Sequence, residues 1–243
     1  MPKLRLDQLL VARQLAFSRE KAQAMILAGE VLVNGSPITK SGRSVPDDAQ
    51  IEVRSRLQKY VSRGGFKLEG ALQDFASDPT NKICLDLGSS NGGFTDCLLQ
   101  RGAAKVFAVD VNTGQLDWKL QRDPRVVPVK RNARDLQSGD LSEPAALVVA
   151  DVSFISITKI LPAAIPCASP GADFLILIKP QFELRREDIG PGGIVSDPVL
   201  HQRAIASVQS SAESLGLLTL GVKPSHLPGA EGNQEFFLYS RKP

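Results

Sequence analysis

Apolar positions in the first thirty residues follow a helical period, at Leu6, Leu9 and Leu10 and again at Ala22, Met25 and Ile26. Each set falls on one helix face. Ser18 stands where the second helix needs an N-cap, and Gly29 where that helix must stop. The period then shortens to two. Val31, Val33 and Ile38 flank Asn34-Gly35, a dipeptide suited to a two-residue hairpin turn. The run from Ala49 to Val53 supplies a second strand. The pattern predicts a small α+β unit over residues 1–56. Residues 54–66 then carry three arginines, one lysine and a Gly-Gly step, and 57–66 of them are expected as a linker.

From residue 67 to 243 short β-rich runs alternate with helical ones. Strands are expected at 83–87, 105–110, 126–129, 146–151 and 173–178, and helices at 67–76, 93–101, 113–121, 156–167 and 198–215. Two last strands, 217–223 and 235–240, are separated by a loop rich in Pro and Gly. Such alternation predicts a doubly wound, Rossmann-like α/β sheet with right-handed crossovers. Ligands of these sheets sit beyond the carboxyl ends of the strands.

Composition narrows the class. With 42% apolar residues in 243, the chain is ordinary for a globular protein. No stretch approaches the roughly 20 apolar residues of a membrane helix, and MPKLRLDQLL has no secretory h-region. Cys84, Cys97 and Cys167 are scattered without a C-x-x-C pair, which argues against a disulfide framework or a zinc site. A cytoplasmic protein without metal or membrane is the expectation. The net charge of +3 is uneven, because residues 1–67 carry 12 Lys and Arg against 6 Asp and Glu. A small basic module of this kind suits a polyanion.

The first βα turn, LDLGSSNGGFTDCLL, is rich in glycine but lacks the spacing of a dinucleotide fingerprint. Asp86 precedes it, and Asp110 closes the next strand. A carboxylate at that second position can accept both ribose hydroxyls of an adenosine. Asp86 would repel a pyrophosphate but can meet an ammonium group, so the pair favours S-adenosylmethionine over NAD. Asp151 ends strand four, Lys179 ends strand five in FLILIKPQFE, Glu235 opens the last strand, and Lys67 opens a helix ahead of strand one. Singly, each has a plain reading: a cap, a snorkelling lysine, a solvated charge, a surface lysine. Together they would converge on one face. Trp118 is expected to cover the core, and His201 and His226 to be structural.

Two resemblances bear on these residues. The N-terminal run, with S-R-x-x-A opening helix two and then G-x-V-x-V-N-G, resembles the S4 RNA-binding domain. This implies RNA contact through Arg5, Arg19 and Lys21, with Arg63 in the linker adding to it. The rest, with Y-V-S-R-G-G-x-K-L, D-x-G-x-x-x-G-G-F-T-D-C-L-L-Q, D-V-S-F-I-S, K-P-Q-F-E and E-F-F-L, resembles the FtsJ-like 2′-O-ribose methyltransferases. The whole chain is similar to the TlyA family of ribosomal RNA methyltransferases, often named haemolysins. The resemblance implies a class I methyltransferase domain with a catalytic tetrad of Lys67, Asp151, Lys179 and Glu235. It implies S-adenosylmethionine held by Asp86, Gly88, Ser89, Ser90, Gly92, Gly93, Phe94, Thr95, Asp110, Asn132 and Asp151. The implied substrate is a cytidine ribose of ribosomal RNA, in the large subunit by preference and the small one as a second site. The chain departs from the family where Arg131 replaces a usual threonine and Asn112 a usual glycine. A non-catalytic ribosome-assembly factor, a methyltransferase of proteins or small molecules, and a membrane-active toxin are the rival readings.

Overall fold

The computed structural model describes residues 3–13, 15–16, 19–27, 29–53, 59–229 and 231–243, apart from the Lys21 side chain. The expected N-cap Ser18, and residues 57–58 of the expected linker, lie outside these. The chain divides into two units, Met1–Lys59 and Tyr60–Pro243.

In the first unit, β1 (Lys3–Arg5) leads into α1 (Leu6–Ala12), followed by α2 (Arg19–Leu27). Leu6, Leu9, Leu10, Ala22, Met25 and Ile26 are all buried in one core, as their spacing requires. β2 (Val31–Val33) pairs antiparallel with β3 (Ser36–Pro37) and β5 (Ile51–Val53), and β4 (Ser44–Pro46) pairs with β1. Asn34 and Gly35 both adopt positive φ, 50° and 79°, the geometry a two-residue hairpin demands.

The second unit begins at Tyr60, not at residue 67. Tyr60 is buried, its ring lies edge-on to Phe66 at 5.2 Å, and the Val61 amide donates to Asp96 at 2.8 Å. Helix α3 (Gly64–Asp74) therefore starts inside the stretch expected as linker. Tyr60 and Val61 in that stretch have a core to enter, which the basic residues beside them, Lys59 and Arg63, concealed.

Strands β6 (Ile83–Leu87), β7 (Lys105–Asp110), β8 (Val126–Lys130), β9 (Ala145–Ala150), β10 (Ala168–Ile178), β11 (Leu218–Pro224) and β12 (Phe236–Arg241) form one sheet in the order β11-β12-β10-β9-β6-β7-β8. Only β12 runs against its neighbours. Strand order reverses between β6 and β9, which defines the switch point. Side chains alternate between two cores: Leu85, Leu87, Phe107 and Val109 on one face, Cys84, Val106 and Ala108 on the other. The long α8 (Pro198–Ser214) covers the first face through Ile205, Val208 and Ala212, while α3 and α4 (Gly93–Gln100) cover the second.

Two expected helices are broken. Over 113–121 a 3-10 turn, Thr113–Gln115, precedes α5 (Trp118–Gln121), because Asn112 and Asp117 each cap a separate start. Over 156–167 only α6 (Leu161–Ala164) is α-helical, between the 3-10 turns Ile157–Lys159 and Ile165–Cys167. Pro162 and Pro166 lack the amide hydrogens that a continuous helix needs there. Trp118 does not cover the core. It is 47% exposed, whereas Leu116 and Leu120 on either side of it are buried. Leu116 enters the core from the extended segment ahead of α5 and Leu120 from within it, so Trp118, the first helical residue, is left outward.

Candidate active site

All four members of the expected tetrad lie in the second unit, at the carboxyl edge of its parallel strands. Asp151 follows β9 and Lys179 follows β10 directly. Glu235 reaches the same edge because β12 is antiparallel, with Phe236 opposite Ile178. Lys67 comes from the first turn of α3.

The four resolve into two ion pairs. Lys179 Nζ lies 2.6 Å from Asp151 Oδ1 and donates to Ser153 Oγ at 2.9 Å. Lys67 Nζ donates to Glu235 Oε2 at 2.5 Å. Both lysines are buried, and Glu235 is only 2% exposed. Burial pushes the Glu235 carboxyl above its ordinary range, with Lys67 pulling it back. Lysine tolerates such surroundings only with a partner, and here each has one.

The glycine turn forms the opposite wall. Gly88 and Ser89 donate their amides to the Val109 carbonyl at 2.9 and 3.1 Å, which draws the turn onto β7. Gly88 has φ +81°, and a Cβ there would lie 2.5 Å from the Asp151 carbonyl oxygen. Glycine is thus required on both counts. Asp110 accepts from the amides of Ser90 (3.0 Å) and Asn112 (2.9 Å), one on each oxygen. Each oxygen keeps a lone pair for a further donor.

Asp86 lies beneath this turn, fully buried. Thr95 donates to its Oδ2 at 2.6 Å, but Oδ1 has no partner among the described residues. Burial lifts the carboxyl to about 7, aided by the negative charges of Asp151 and Asp110 and opposed by Thr95. An orphaned buried carboxylate oxygen beside a glycine turn suits a cationic ligand and would reject a phosphate.

A cavity of about 310 Å³ opens between these walls. Arg63, Lys67, the turn from Gly88 to Asn91, Gly93, Phe94, Asp151, Ser153 and Lys179 line it. Asp86 and Thr95 support it from below, and Asp110 shapes it by holding Ser90. Glu235 is set behind Lys67. Gly92 (φ +93°) turns the chain into α4 without lining the cavity. Asn132, two residues beyond β8, spends its side-chain oxygen on the Arg134 amide and lines no part of the cavity.

Sequence reasoning passed over Ser62, Ser153 and Phe154. The first two line the cavity. Phe154 is 92% exposed with φ +64°, a conformation that costs a bulky residue on the order of 1–3 kcal/mol. The D-V-S-F-I-S stretch contains both, but alternation in it gives no hint that the phenyl ring faces outward.

Of the residues expected to meet RNA, Arg63 is exposed beside the cavity, its guanidinium 3.4 Å from the Pro228 carbonyl. Arg5 and Arg19 belong to the first unit. Arg5 binds both Asp7 oxygens at 3.0 and 2.9 Å, Arg19 binds Oδ2 at 3.0 Å, and Gln23 adds a bond at 2.9 Å. Asp7 is fully buried, and these donors, Arg5 foremost, hold its carboxyl far below the usual range. The guanidinium groups keep free N–H groups facing outward, since both side chains are nearly half exposed. The Lys21 side chain lies outside the described residues. Among those residues, no group of His, Cys, Asp or Glu is arranged to hold a metal ion, and no helix is long and apolar enough to cross a membrane.

Comparison with known proteins accords with this geometry. The profile of the FtsJ-like methyltransferases matches residues 60–242, and that of the S4 domain residues 4–51. The 16S/23S rRNA (cytidine-2′-O)-methyltransferase TlyA of Mycobacterium tuberculosis is 48% identical over 98% of this chain and 89% of its own. Hemolysin A of Brachyspira hyodysenteriae is 42% identical over 97% of this chain and 99% of its own. A solved structure from Streptococcus thermophilus, called a hemolysin, superposes with a TM-score of 0.76 at 39% identity, covering 100% of this chain and 89% of that one. An S-adenosylmethionine-dependent methyltransferase from Listeria monocytogenes, 15% identical, shares the fold of the larger unit with a TM-score of 0.56, over 75% of this chain and 100% of that one. A glycine turn, a lysine-carboxylate site and an S4 domain ahead of them thus come together in a chain that belongs to the FtsJ-like methyltransferase family.

Proposed function

We propose that this protein methylates the 2′-oxygen of a ribose in ribosomal RNA, using S-adenosylmethionine, with a cytidine of the large subunit as the favoured target and the small subunit as a second. The observation that carries the reading is the Lys179 ammonium, held by Asp151 and Ser153 in a cavity walled by the glycine turn. A ribose hydroxyl is a weak nucleophile and needs a base within hydrogen-bond reach. To serve as that base the Lys179 ammonium must first give up a proton to solvent, which leaves an amine with two N–H donors and one lone pair. With the donors committed to Asp151 and Ser153, the lone pair is left for the hydroxyl. As the new O–CH3 bond forms, the hydroxyl proton passes to Nζ, and Asp151 offsets the charge that results.

The residues present fit the cofactor. Asp86 Oδ1 offers an unpaired buried acceptor for a cation, Asp110 keeps acceptor capacity for ribose hydroxyls, and Gly88 and Gly93 leave the floor open. When bound, the cofactor supplies a methyl group on a positively charged sulfur, which departs as a neutral thioether. Lys67 and Glu235 hold a second, neutralised pair beside the first. This lets Lys179 sit in a crowded site without an unbalanced neighbouring cation. Phe154 offers an exposed aromatic face next to Ser153, where a nucleobase can stack.

The basic first unit supplies RNA affinity of the shape-and-phosphate kind, through Arg5, Arg19 and Lys21, with Arg63 at the cavity mouth. The experiment is transfer of tritiated methyl from S-adenosylmethionine to separated ribosomal subunits, followed by mapping of the modified nucleotide. Label on a ribose is the expected result. Label on neither RNA would overturn the proposal, and so would full transfer by Lys179→Met. Binding of the cofactor and of RNA without transfer would favour an assembly factor instead.

A further inference from the structure

The sheet ladder that aligns β9 with β10 ends at the pair Ala150 and Ile176. Beyond it the Asp151 amide donates to the Leu87 carbonyl at 3.0 Å, and Lys179 follows the pair of Ile178 with Phe236, so the ladder ties each segment to a different neighbour and not to the other. Lys179 continues into α7 (Pro180–Glu183), where Pro180 has no amide hydrogen to bridge the gap. Asp151 continues into the loop that carries Ser153 and Phe154. Glu183 crosses between them. Its Oε1 accepts from the Ile157 amide at 2.8 Å and its Oε2 from the Ser156 hydroxyl at 2.5 Å. Ser156 in turn caps the 3-10 turn Ile157–Lys159 through the Thr158 amide at 3.2 Å.

We infer that Glu183 is a positioning residue: it clamps the loop after Asp151 onto the turn after Lys179, and so sets Asp151, Ser153 and Phe154 around the lysine. The inference rests on the reading of Lys179 and Asp151 as the reacting pair. Two further contacts follow the same path. The Phe182 ring, next to Glu183, lies 5.4 Å from the Phe154 ring, and Lys179 Nζ stands 6.0 Å from the Phe182 centroid. Phe154 keeps a left-handed backbone at φ +64°, which a loop pinned at one end only would release. Pinned at both ends, by Lys179 on Asp151 and by Glu183 on Ser156 and Ile157, the loop is held. Glu183 itself lines no part of the methyl-transfer cavity. Its influence on turnover must therefore pass through the loop.

Steady-state methyl transfer by the full chain, with Glu183→Ala, Glu183→Gln and Ser156→Ala, tests this. Glu183→Ala should lower kcat by about tenfold to a hundredfold, the usual effect of misplacing reacting groups by an ångström. The KM for S-adenosylmethionine should stay within about twofold, since the glycine turn does not depend on the clamp. Glu183→Gln retains an oxygen for the Ile157 amide and should recover most of the rate. Ser156→Ala, the mildest change, should lower kcat less than Glu183→Ala, and the double variant should be no worse than Glu183→Ala alone. Unchanged kcat in Glu183→Ala would overturn the inference. So would a fall in kcat matched by equal losses in cofactor affinity and melting temperature across all three variants. If the wild type labels no RNA, the functional reading fails, and the clamp is then judged from amide exchange. Exchange at Ile157 should be at least about tenfold faster in Glu183→Ala, and equal exchange would overturn it.

Discussion

Replacing Asp86 with asparagine should make the ligand-free protein more stable while weakening its hold on the cofactor. The carboxyl is fully buried and raised from its ordinary 3.8 to about 7. Its folded-state pKa lies above the unfolded one, so the proton favours the folded state. That contribution is complete below about pH 4 and is lost as the pH rises through about 7. A shift of three units corresponds to about 4 kcal/mol, an upper bound. Asparagine carries no charge and can keep the Thr95 hydroxyl bond on its oxygen. Its amide nitrogen then inherits the unpartnered position of Oδ1, at about 1–3 kcal/mol. The net gain above pH 8 is about 1–3 kcal/mol, or roughly 2–12 °C in Tm for a chain of this size. Thermal melts from pH 5 to 8.5, with and without S-adenosylmethionine, read this directly. The wild type should lose Tm as pH rises and regain it with cofactor, most strongly at the alkaline end. The variant should be flatter with pH and gain less from cofactor. A variant that melts below the wild type by a constant amount at every pH would refute the reasoning.

Lys67→Met leaves Glu235, 2% exposed, as an uncompensated buried charge, which should destabilise the fold by about 3–5 kcal/mol in denaturant titrations. Adding Glu235→Leu should restore most of that stability without restoring methyl transfer. Gly88→Ala would drive a Cβ to within 2.5 Å of the Asp151 carbonyl at a φ of +81°; calorimetry should show S-adenosylmethionine binding lost or weakened by more than about tenfold. Arg19→Ala should weaken subunit binding and reduce the slope of log affinity against log salt by about 1, leaving methyl-donor affinity unchanged. An unaltered slope would remove Arg19 from the RNA contact.

Much of this was legible in residue order because it depends on local physics. The β6 strand, the Asn34-Gly35 hairpin and the glycine turn each follow from periodicity or from a backbone that few residues can adopt. Where local signals compete, the reading slipped. Pro162 and Pro166 sit inside an apparently helical apolar pattern, and their missing amide hydrogens outweigh it. Tyr60 was hidden among basic residues because its burial depends on Phe66 and on a core assembled from residues far along the chain. Trp118 lies outward because Leu116 and Leu120 hold the inward positions.

Residue order alone settles which ionisable residues end the strands, and hence that a lysine follows β10 and an aspartate β9. It could not determine the pairing. That Lys179 binds Asp151 and Ser153 while Lys67 binds Glu235 follows from the antiparallel run of β12 and the packing of α3 on the sheet, separations of up to 168 residues in the chain. Nor could it mark Asp86 Oδ1 as unpartnered or Phe154 as outward, because burial is a property of everything packed around a residue. Local order along a chain is set by neighbours a few residues away, whereas the charge state and reach of a buried side chain are set by whichever distant segments fold against it.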